Sequence, residues 1–342
     1  MALKTAGKLL QKYKIHIMIS VAMCTYNGAK FLPEQLKSIA DQTVSVDELV
    51  VCDDRSKDDT IEIIKSFAAT SKFPVRIHVN EENLGSTKNF EKCLSLCEGD
   101  VIFCCDQDDR WRKDKVQKQV AFLNARPDLD AVFSDAEKIG DDSQPAGGTI
   151  WEEIEFDAAR QQLWRSGKSH EILFKGFIVT GATLAIRKSC LKRLMPFPTN
   201  VPDLIHDAWI AMVLSLEAKI DFIPECLVSY RIHSSQQVGF GNKVEKVQLA
   251  DRFNRDRKLK LVPLGEKAAK LHDMYLLLLA LPFVPKEKLS KLNLSQKHFY
   301  IRAALPENRL KRVIPVLGQL VRGHYGFSSR DWWLPFMGDL LE

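Results

Sequence analysis

The chain has 342 residues, 45% of them hydrophobic and 27% charged, which excludes a disordered or collagenous protein and suits one large α/β domain with an appendage. No stretch reaches the roughly 20 apolar residues of a membrane span, and Met1–Lys14 lacks the apolar core and cleavage site of a signal peptide, so a cytosolic protein is expected. The net charge of +5 conceals an asymmetry: from Lys243 to Glu342 there are 19 Lys and Arg against 10 Asp and Glu, so the tail is basic and the rest slightly acidic.

Ile15 to Cys24 is an apolar, β-branched run ending in the turn signal Thr25-Tyr26-Asn27-Gly28, and helical spacing of Phe31, Leu32, Gln35, Leu36 and Ile39 follows. The unit recurs: a strand from Glu48 to Cys52, then Asp53-Asp54-Arg55-Ser56, then a helix from Asp58 to Ala69. A third strand, Val75 to Val79, passes through Asn83-Leu84-Gly85 into a helix from Ser86 to Cys97. Val101-Ile102-Phe103-Cys104-Cys105 is then the fourth strand, and this alternation predicts a mainly parallel sheet.

After it come a helix from Lys113 to Ala125, a short strand from Ala131 to Ser134, and an irregular segment to Lys175 that holds Trp151 and Trp164 and is expected to cover the crevice. A strand from Phe177 to Ile186 includes Thr180-Gly181-Ala182, where glycine permits close backbone approach. A helix opens at Leu204 to Trp209, and a strand from Leu227 to Ile232 ends at His233. Gly239 and Gly241 mark a boundary, beyond which the periodicity is helical and interrupted near Pro282, Pro285, Pro306 and Pro315. The eight cysteines form no Cys-x-x-Cys pair and read as small buried thiols, with neither zinc spacing nor the framework of a short secreted chain.

The chemistry concentrates where the fourth strand ends in Asp106-Gln107-Asp108-Asp109. Ligands of open α/β sheets bind outside the carboxyl ends of strands, and Asp106 and Asp108, two apart, can turn to one side and offer oxygens to a hard divalent cation. The same pattern is equally compatible with an acidic loop capping a helix that starts near Trp111. No Gly-x-Gly-x-x-Gly follows the first strand and no P-loop occurs, which argues against a dinucleotide dehydrogenase or P-loop enzyme. A nucleotide could still stack on Tyr26 and bond to Asp53 through its base or ribose; packing for Tyr26 and helix capping for Asp53 and Asp207 compete with the functional readings.

Taken together, Cys24-Thr25-Tyr26-Asn27, Asp53-Asp54-Arg55-Ser56, Asn83-Leu84-Gly85, Asp106-Gln107-Asp108-Asp109, His206-Asp207-Ala208-Trp209 and Tyr230-Arg231-Ile232-His233 resemble, in order and spacing, the family 2 glycosyltransferases over residues 17 to 241. The last three phrases are similar to those of bacterial rhamnosyltransferase-type members that build cell-surface polysaccharide. The resemblance implies a GT-A fold, with a Rossmann-like, mainly parallel sheet flanked by helices. It implies an inverting transfer from a nucleoside-diphosphate sugar, rhamnose among the candidates, to a glycan or lipid-linked acceptor.

It further implies a nucleotide-sugar site at Thr25, Tyr26, Asn27, Asp53, Asn83, Gly85, Asp106 and Gln107, and Mn²⁺ or Mg²⁺ held by Asp108 with Asp106 and His233. Asp109 is left between the metal and a helix cap. Asp207 matches the base position, and Gly181, His206 and Trp209 are assigned to the acceptor; His206 replaces the acidic residue frequent in the family, as in the rhamnosyltransferase-like subgroup. The expected domains are an extension at 1–14, a catalytic domain at 15–241 with a donor half to about 135 and an acceptor half after it, and a basic helical region at 242–342. A haloacid-dehalogenase-type phosphatase would carry its Asp-x-Asp on the first strand with Thr or Val at the fifth position, where this chain has Arg110. A sugar-nucleotide nucleotidyltransferase would need a Gly-rich basic first loop, and a non-catalytic nucleotide-binding scaffold would not need both the Asp106/Asp108 pair and Asp207.

The tail combines basic residues with Tyr275-Leu276-Leu277-Leu278-Leu279-Ala280-Leu281 and Trp332-Trp333-Leu334-Pro335-Phe336. Such a pattern suits a peripheral contact at the inner face of the cell membrane, and equally helices packed on the catalytic domain or a dimer interface. No nucleic-acid partner is expected.

Overall fold

The computed structural model describes residues 16–233, 236, 257–328 and 331–341; the N-terminal extension and the boundary at Gly239 and Gly241 lie outside them. Strands β1 (Ile19–Thr25), β2 (Glu48–Asp53), β3 (Val75–Val79) and β4 (Val101–Cys105) form a parallel set in the order β3-β2-β1-β4. Every residue of β2 and β4 is buried, as expected of parallel strands covered on both faces. Helices α1 (Leu32–Ala40), α2 (Thr60–Ala68) and α3 (Gly85–Leu96) connect these strands, and α1 turns Leu32, Gln35, Leu36 and Ile39 inward as its spacing predicts.

The sheet continues with mixed direction. Strands β5 (Arg110–Trp111), β6 (Ala131–Ile139), β7 (Pro145–Thr149), β8 (Ala185–Arg187) and β9 (Ile220–Arg231) extend it in the order β4-β8-β6-β9-β5, with β7 paired to β6. β8 is antiparallel to β4, and β9 runs parallel to β6.

Several expectations change here. The expected strand from Phe177 shrinks to β8, because Gly181–Thr183 closes a single tight turn in which the Thr183 hydroxyl donates to the Thr180 carbonyl at 2.7 Å. Trp111 lies in β5, and the helix after it, α4 (Lys115–Ala125), begins four residues later, so Asp109 does not cap it. Within the irregular segment, Trp151 and Trp164 are buried in aromatic clusters. Trp151 packs on Phe133 and Phe222 at 5.8 and 5.4 Å between centroids, and Trp164 packs on Phe156 at 5.6 Å.

The chain divides into two compact units: one takes residues through Glu155 with Val179–Phe197 and Lys219–Ser235, the other Phe156–Ile178, Pro198–Ala218 and the chain from Gln236. Residues 156–178 and 198–218, placed by the sequence in the acceptor half, thus group with the C-terminal helices. The second unit contains α5 (His206–Leu216), α6 (Arg257–Leu279), α7 (Ser290–Ala303), α8 (Arg309–Val321) and α9 (Trp333–Leu341). All eleven residues of α5 are buried, consistent with its apolar character on every side. Pro315 lies inside α8 instead of ending it, at the cost of one internal hydrogen bond. Among the described residues, no helix is long and apolar enough to cross a membrane.

Candidate active site

Three loops at the carboxyl ends of β1, β2 and β4 are tied together by side chains that bond to backbone. The Gln107 amide grips Tyr26 from both sides, its oxygen accepting the Tyr26 N–H at 2.8 Å and its nitrogen donating to the Tyr26 carbonyl at 3.1 Å. Gly28 makes room for it, since a Cβ there would fall 2.2 Å from Gln107 Oε1. Asn27, at φ 49°, donates its N–H to Ser56 Oγ and accepts from Lys57 N, both at 2.8 Å.

Beneath these loops sits Asp53, with no exposed surface. One of its oxygens accepts Ser56 N–H at 2.8 Å; the other accepts the Thr25 and Ser56 hydroxyls at 2.7 and 2.6 Å. Its neighbour Asp54 binds the start of α3, accepting from Leu84 N at 2.7 Å, Gly85 N at 2.9 Å and Asn80 Nδ2 at 2.8 Å. Asn83 joins the same knot, donating to the Asp54 carbonyl at 3.2 Å, and Gly85 takes φ 74°, a conformation that favours glycine. Thr25, Asn27, Asp53, Asn83, Gly85, Tyr26 and Gln107 therefore belong to one bonded loop set.

The acidic loop after β4 is organised by an arginine from β9. Arg231 is fully buried and spends its guanidinium on four partners: the Asp108 carbonyl at 2.7 Å, the Gly140 carbonyl at 2.8 Å, Ser143 Oγ at 2.9 Å and Glu34 Oε2 at 2.6 Å. Its guanidinium carbon also lies 4.6 Å from the centre of the Phe31 ring. Burial raises the Glu34 carboxyl, but the Ser143 hydrogen bond and the Arg231 charge outweigh it and hold Glu34 below its ordinary range. The Arg231 N–H donates to Asp109 Oδ1 at 3.0 Å. Asp109 is driven well above the usual carboxylate range by burial first, then by the charges of Asp108 and Asp106. Those shifts mark three acidic groups crowded at one strand end.

Two residues beyond Arg231, His233 meets Asp108, with Nε2 to Oδ2 at 2.8 Å and the imidazole tilted by 43° against Phe31, 4.9 Å between ring centres. Two of the three expected metal ligands are thus side by side; among the described residues no group of three such side chains is assembled as a metal site. Behind β4, Lys115 is fully buried, donating to Gln119 Oε1 at 2.8 Å and lying 4.5 Å from the Trp111 ring and 5.0 Å from Phe103. Burial pushes its ammonium down to about 7.

The residues that the sequence assigned to the acceptor lie on other elements. Gly181 is buried in the tight turn before β8, a turn whose Leu184 carbonyl accepts from Cys104 N of β4 at 3.0 Å. His206, Asp207 and Trp209 open α5 in the second unit, all buried. Ile205 occupies the N-cap position, and Asp207, in the first turn, accepts the Ala208 N–H at 2.6 Å. Burial lowers the His206 imidazole. The sequence assigned no role to Arg231, Glu34, Ser56 or Asp54. An arginine inside an apolar strand was the one available signal, because a buried guanidinium needs several acceptors.

The family model "Glycosyl transferase family 2" matches residues 20–195, just over half of the chain. An uncharacterized glycosyltransferase of Methanocaldococcus jannaschii is 27% identical over 63% of this chain and 71% of its own length, while mycobacterial relatives are matched over 59% of theirs. A Bacillus subtilis protein whose name assigns it to teichuronic acid biosynthesis is 33% identical over 32% of this chain and 43% of its own. Among solved structures, the mannosyltransferase PcManGT of Pyrobaculum calidifontis, in complex with GDP-Man and Mn²⁺, superposes with a TM-score of 0.53 at 17% identity, covering 98% of this chain and 91% of that one. At that identity the likeness bears on fold alone.

Proposed function

The chain belongs to glycosyl transferase family 2, and from that premise we propose that it transfers a sugar from a nucleoside-diphosphate donor, with inversion, to a glycan or lipid-linked saccharide in cell-surface polysaccharide synthesis. The observation that carries the reading is the pairing of Asp108 with His233 at the end of β4, beside a loop set whose side chains are committed to holding backbone. The biosynthetic role named for the Bacillus relative supports the polysaccharide context.

Mg²⁺ or Mn²⁺ is characteristically held by one or two carboxylates plus substrate phosphates, so an incomplete protein set is the expected one. Asp108 and His233, with Asp106 on the same loop, fit that donor chemistry, and the donor's diphosphate would complete it. When bound, such a cation supplies charge neutralisation to the departing diphosphate. Everything else falls to the chain. Tyr26 offers its ring, 38% exposed, to the base. Asp53, engaged by Thr25 and Ser56, shapes the nucleotide loops from beneath, and Asn27, Asn83, Gly85 and Gln107 fix them. Asp207 takes the proton of the attacking hydroxyl, with Gly181, His206 and Trp209 serving the acceptor; this assignment rests on the His206-Asp207-Ala208-Trp209 motif. The rhamnosyltransferase-like phrases make a rhamnosyl donor the first to try, and a peripheral membrane contact through the C-terminal region would suit a lipid-linked acceptor.

The test is a screen of thymidine-, uridine- and guanosine-diphosphate sugars with and without Mn²⁺, read as nucleotide release, repeated with Asp207→Asn. The variant should keep donor binding and lose transfer by roughly 10²–10⁴-fold. Transfer at the wild-type rate would remove Asp207 from the base role, and equal diphosphate affinity with Mn²⁺ and with EDTA would remove the metal.

A further inference from the structure

Helix α8 is amphipathic in the inverted sense. Its inward face carries Arg312, Val316 and Gln319, while Leu310, Ile314 and Val321, at 82%, 82% and 86% exposure, face outward with the half-exposed Val313 and Leu317. At 100° per residue these five aliphatic side chains fall on one stripe. The inward polar groups are engaged: Arg312 donates to the carbonyls of Pro306 at 2.6 Å and Glu307 at 2.5 Å, and Gln319 Oε1 meets His298 Nδ1 at 2.8 Å. A water-exposed helix gains nothing from this arrangement, since its apolar half stays hydrated.

We propose that the outward face of α8 docks on an anionic bilayer surface, which deepens the membrane contact proposed above. Charge decides among occupants. Arg309, Lys311 and Arg322 flank the stripe, none paired with a carboxylate among the described residues, and no acidic residue occurs between Glu307 and Asp331. A second copy of the chain seated symmetrically on the same stripe would set these cations against themselves, whereas an anionic headgroup layer complements all of them. α8 packs on α9 through Val316, Leu320, Phe336 and Leu340, and Trp332 and Trp333 stand half-exposed at the start of α9, residue types that settle at headgroup level. In the Tyr275–Leu281 run, Leu278 is buried while Leu276 is half-exposed.

Flotation of the full chain with phosphatidylcholine vesicles, with and without phosphatidylglycerol, tests this in the absence of donor and acceptor, so that failure of the transferase reading leaves it standing. Binding should require phosphatidylglycerol and fall with salt. Arg309→Gln, Lys311→Gln and Arg322→Gln should each weaken it roughly fivefold. The triple variant Leu310→Gln/Ile314→Gln/Val321→Gln should lose it by more than about tenfold, with unchanged melting temperature. Leu310→Met/Ile314→Leu/Val321→Leu should retain it. The proposal is overturned if the wild type ignores anionic vesicles at low salt, or if the polar triple variant floats as well as the wild type. It is equally overturned if that variant turns a dimer into a monomer with vesicle binding intact.

Discussion

Two buried carboxylates, one in each unit, are treated oppositely. Asp339 receives Arg302 at 2.7 and 3.2 Å, Lys260 at 3.1 Å and the Tyr325 hydroxyl at 2.8 Å, so segments from α6, α7 and α9 converge on one fully satisfied acid. Asp109 receives a single backbone N–H on Oδ1, and its Oδ2 has no hydrogen-bond partner among the described residues. Complete pairing is what architecture requires of a buried charge; incomplete pairing beside Asp106 and Asp108 is what the ligand-binding role proposed for that loop would call for. The same substitution at the two positions should therefore have different consequences.

The largest effect is expected of Asp339→Asn. It strands the guanidinium of Arg302 and the ammonium of Lys260, both largely buried, without their counter-charge. Removing one partner of such a cluster costs about 3–5 kcal/mol, and urea unfolding of the full chain should show it. A loss under about 1 kcal/mol would mean that the network behaves like a surface ion pair.

Next comes Lys115→Met, which removes a fully buried charge-bearing group. The Lys115 ammonium is pushed down to about 7 by burial, below its unfolded value of roughly 10.4. Between those values the unfolded chain holds a proton that the folded chain has released, so wild-type stability rises with pH across that window and is lowest below it. The variant should lack that rise. At neutral pH it should gain about 1–3 kcal/mol, even though Gln119 Oε1 loses its donor. Parallel melting curves for the two proteins from pH 7 to 10 would show that Lys115 is not titrating as its burial implies.

How far the sequence reaches differs between the two units for physical reasons. Strands β1, β2 and β4 were legible because a parallel strand covered on both faces is a continuous apolar run, whereas β3, a partly buried edge strand, was legible from the alternation of Val75, Ile77 and Val79 with Arg76 and His78. The positions of Asp108 and His233 at strand ends were legible, since both follow apolar runs, and the structure sets them 2.8 Å apart. The role of Arg231 was not, because its four acceptors come from residues 34, 108, 140 and 143, far apart in sequence and near one another only through β9. β8 is shorter than its apolar run because the flank before it supplies a tight turn instead of a ladder. In the C-terminal helices, period alone gives the helix and not which face is inward, which is how the outward stripe of α8 escaped notice.

The smallest effect is expected of Asp109→Asn, measured with chelator present so that no cation bears on the loop. Asp109 is raised by burial and by Asp108 and Asp106, so the folded chain keeps its proton at pH values where the unfolded chain has lost it. That contribution is full below the unfolded pKa of roughly 3.9 and is lost as pH rises through the folded one. Asparagine matches the neutral acid in shape, and its oxygen can accept the Arg231 N–H as Asp109 Oδ1 does. Near pH 4 the two proteins should therefore unfold within about 1 kcal/mol of each other. As pH rises the variant should become relatively more stable, since it has no proton to give up. A variant several kcal/mol weaker at every pH would place Asp109 with Asp339 as a charge the fold depends on, and would dissolve the contrast between the two acids.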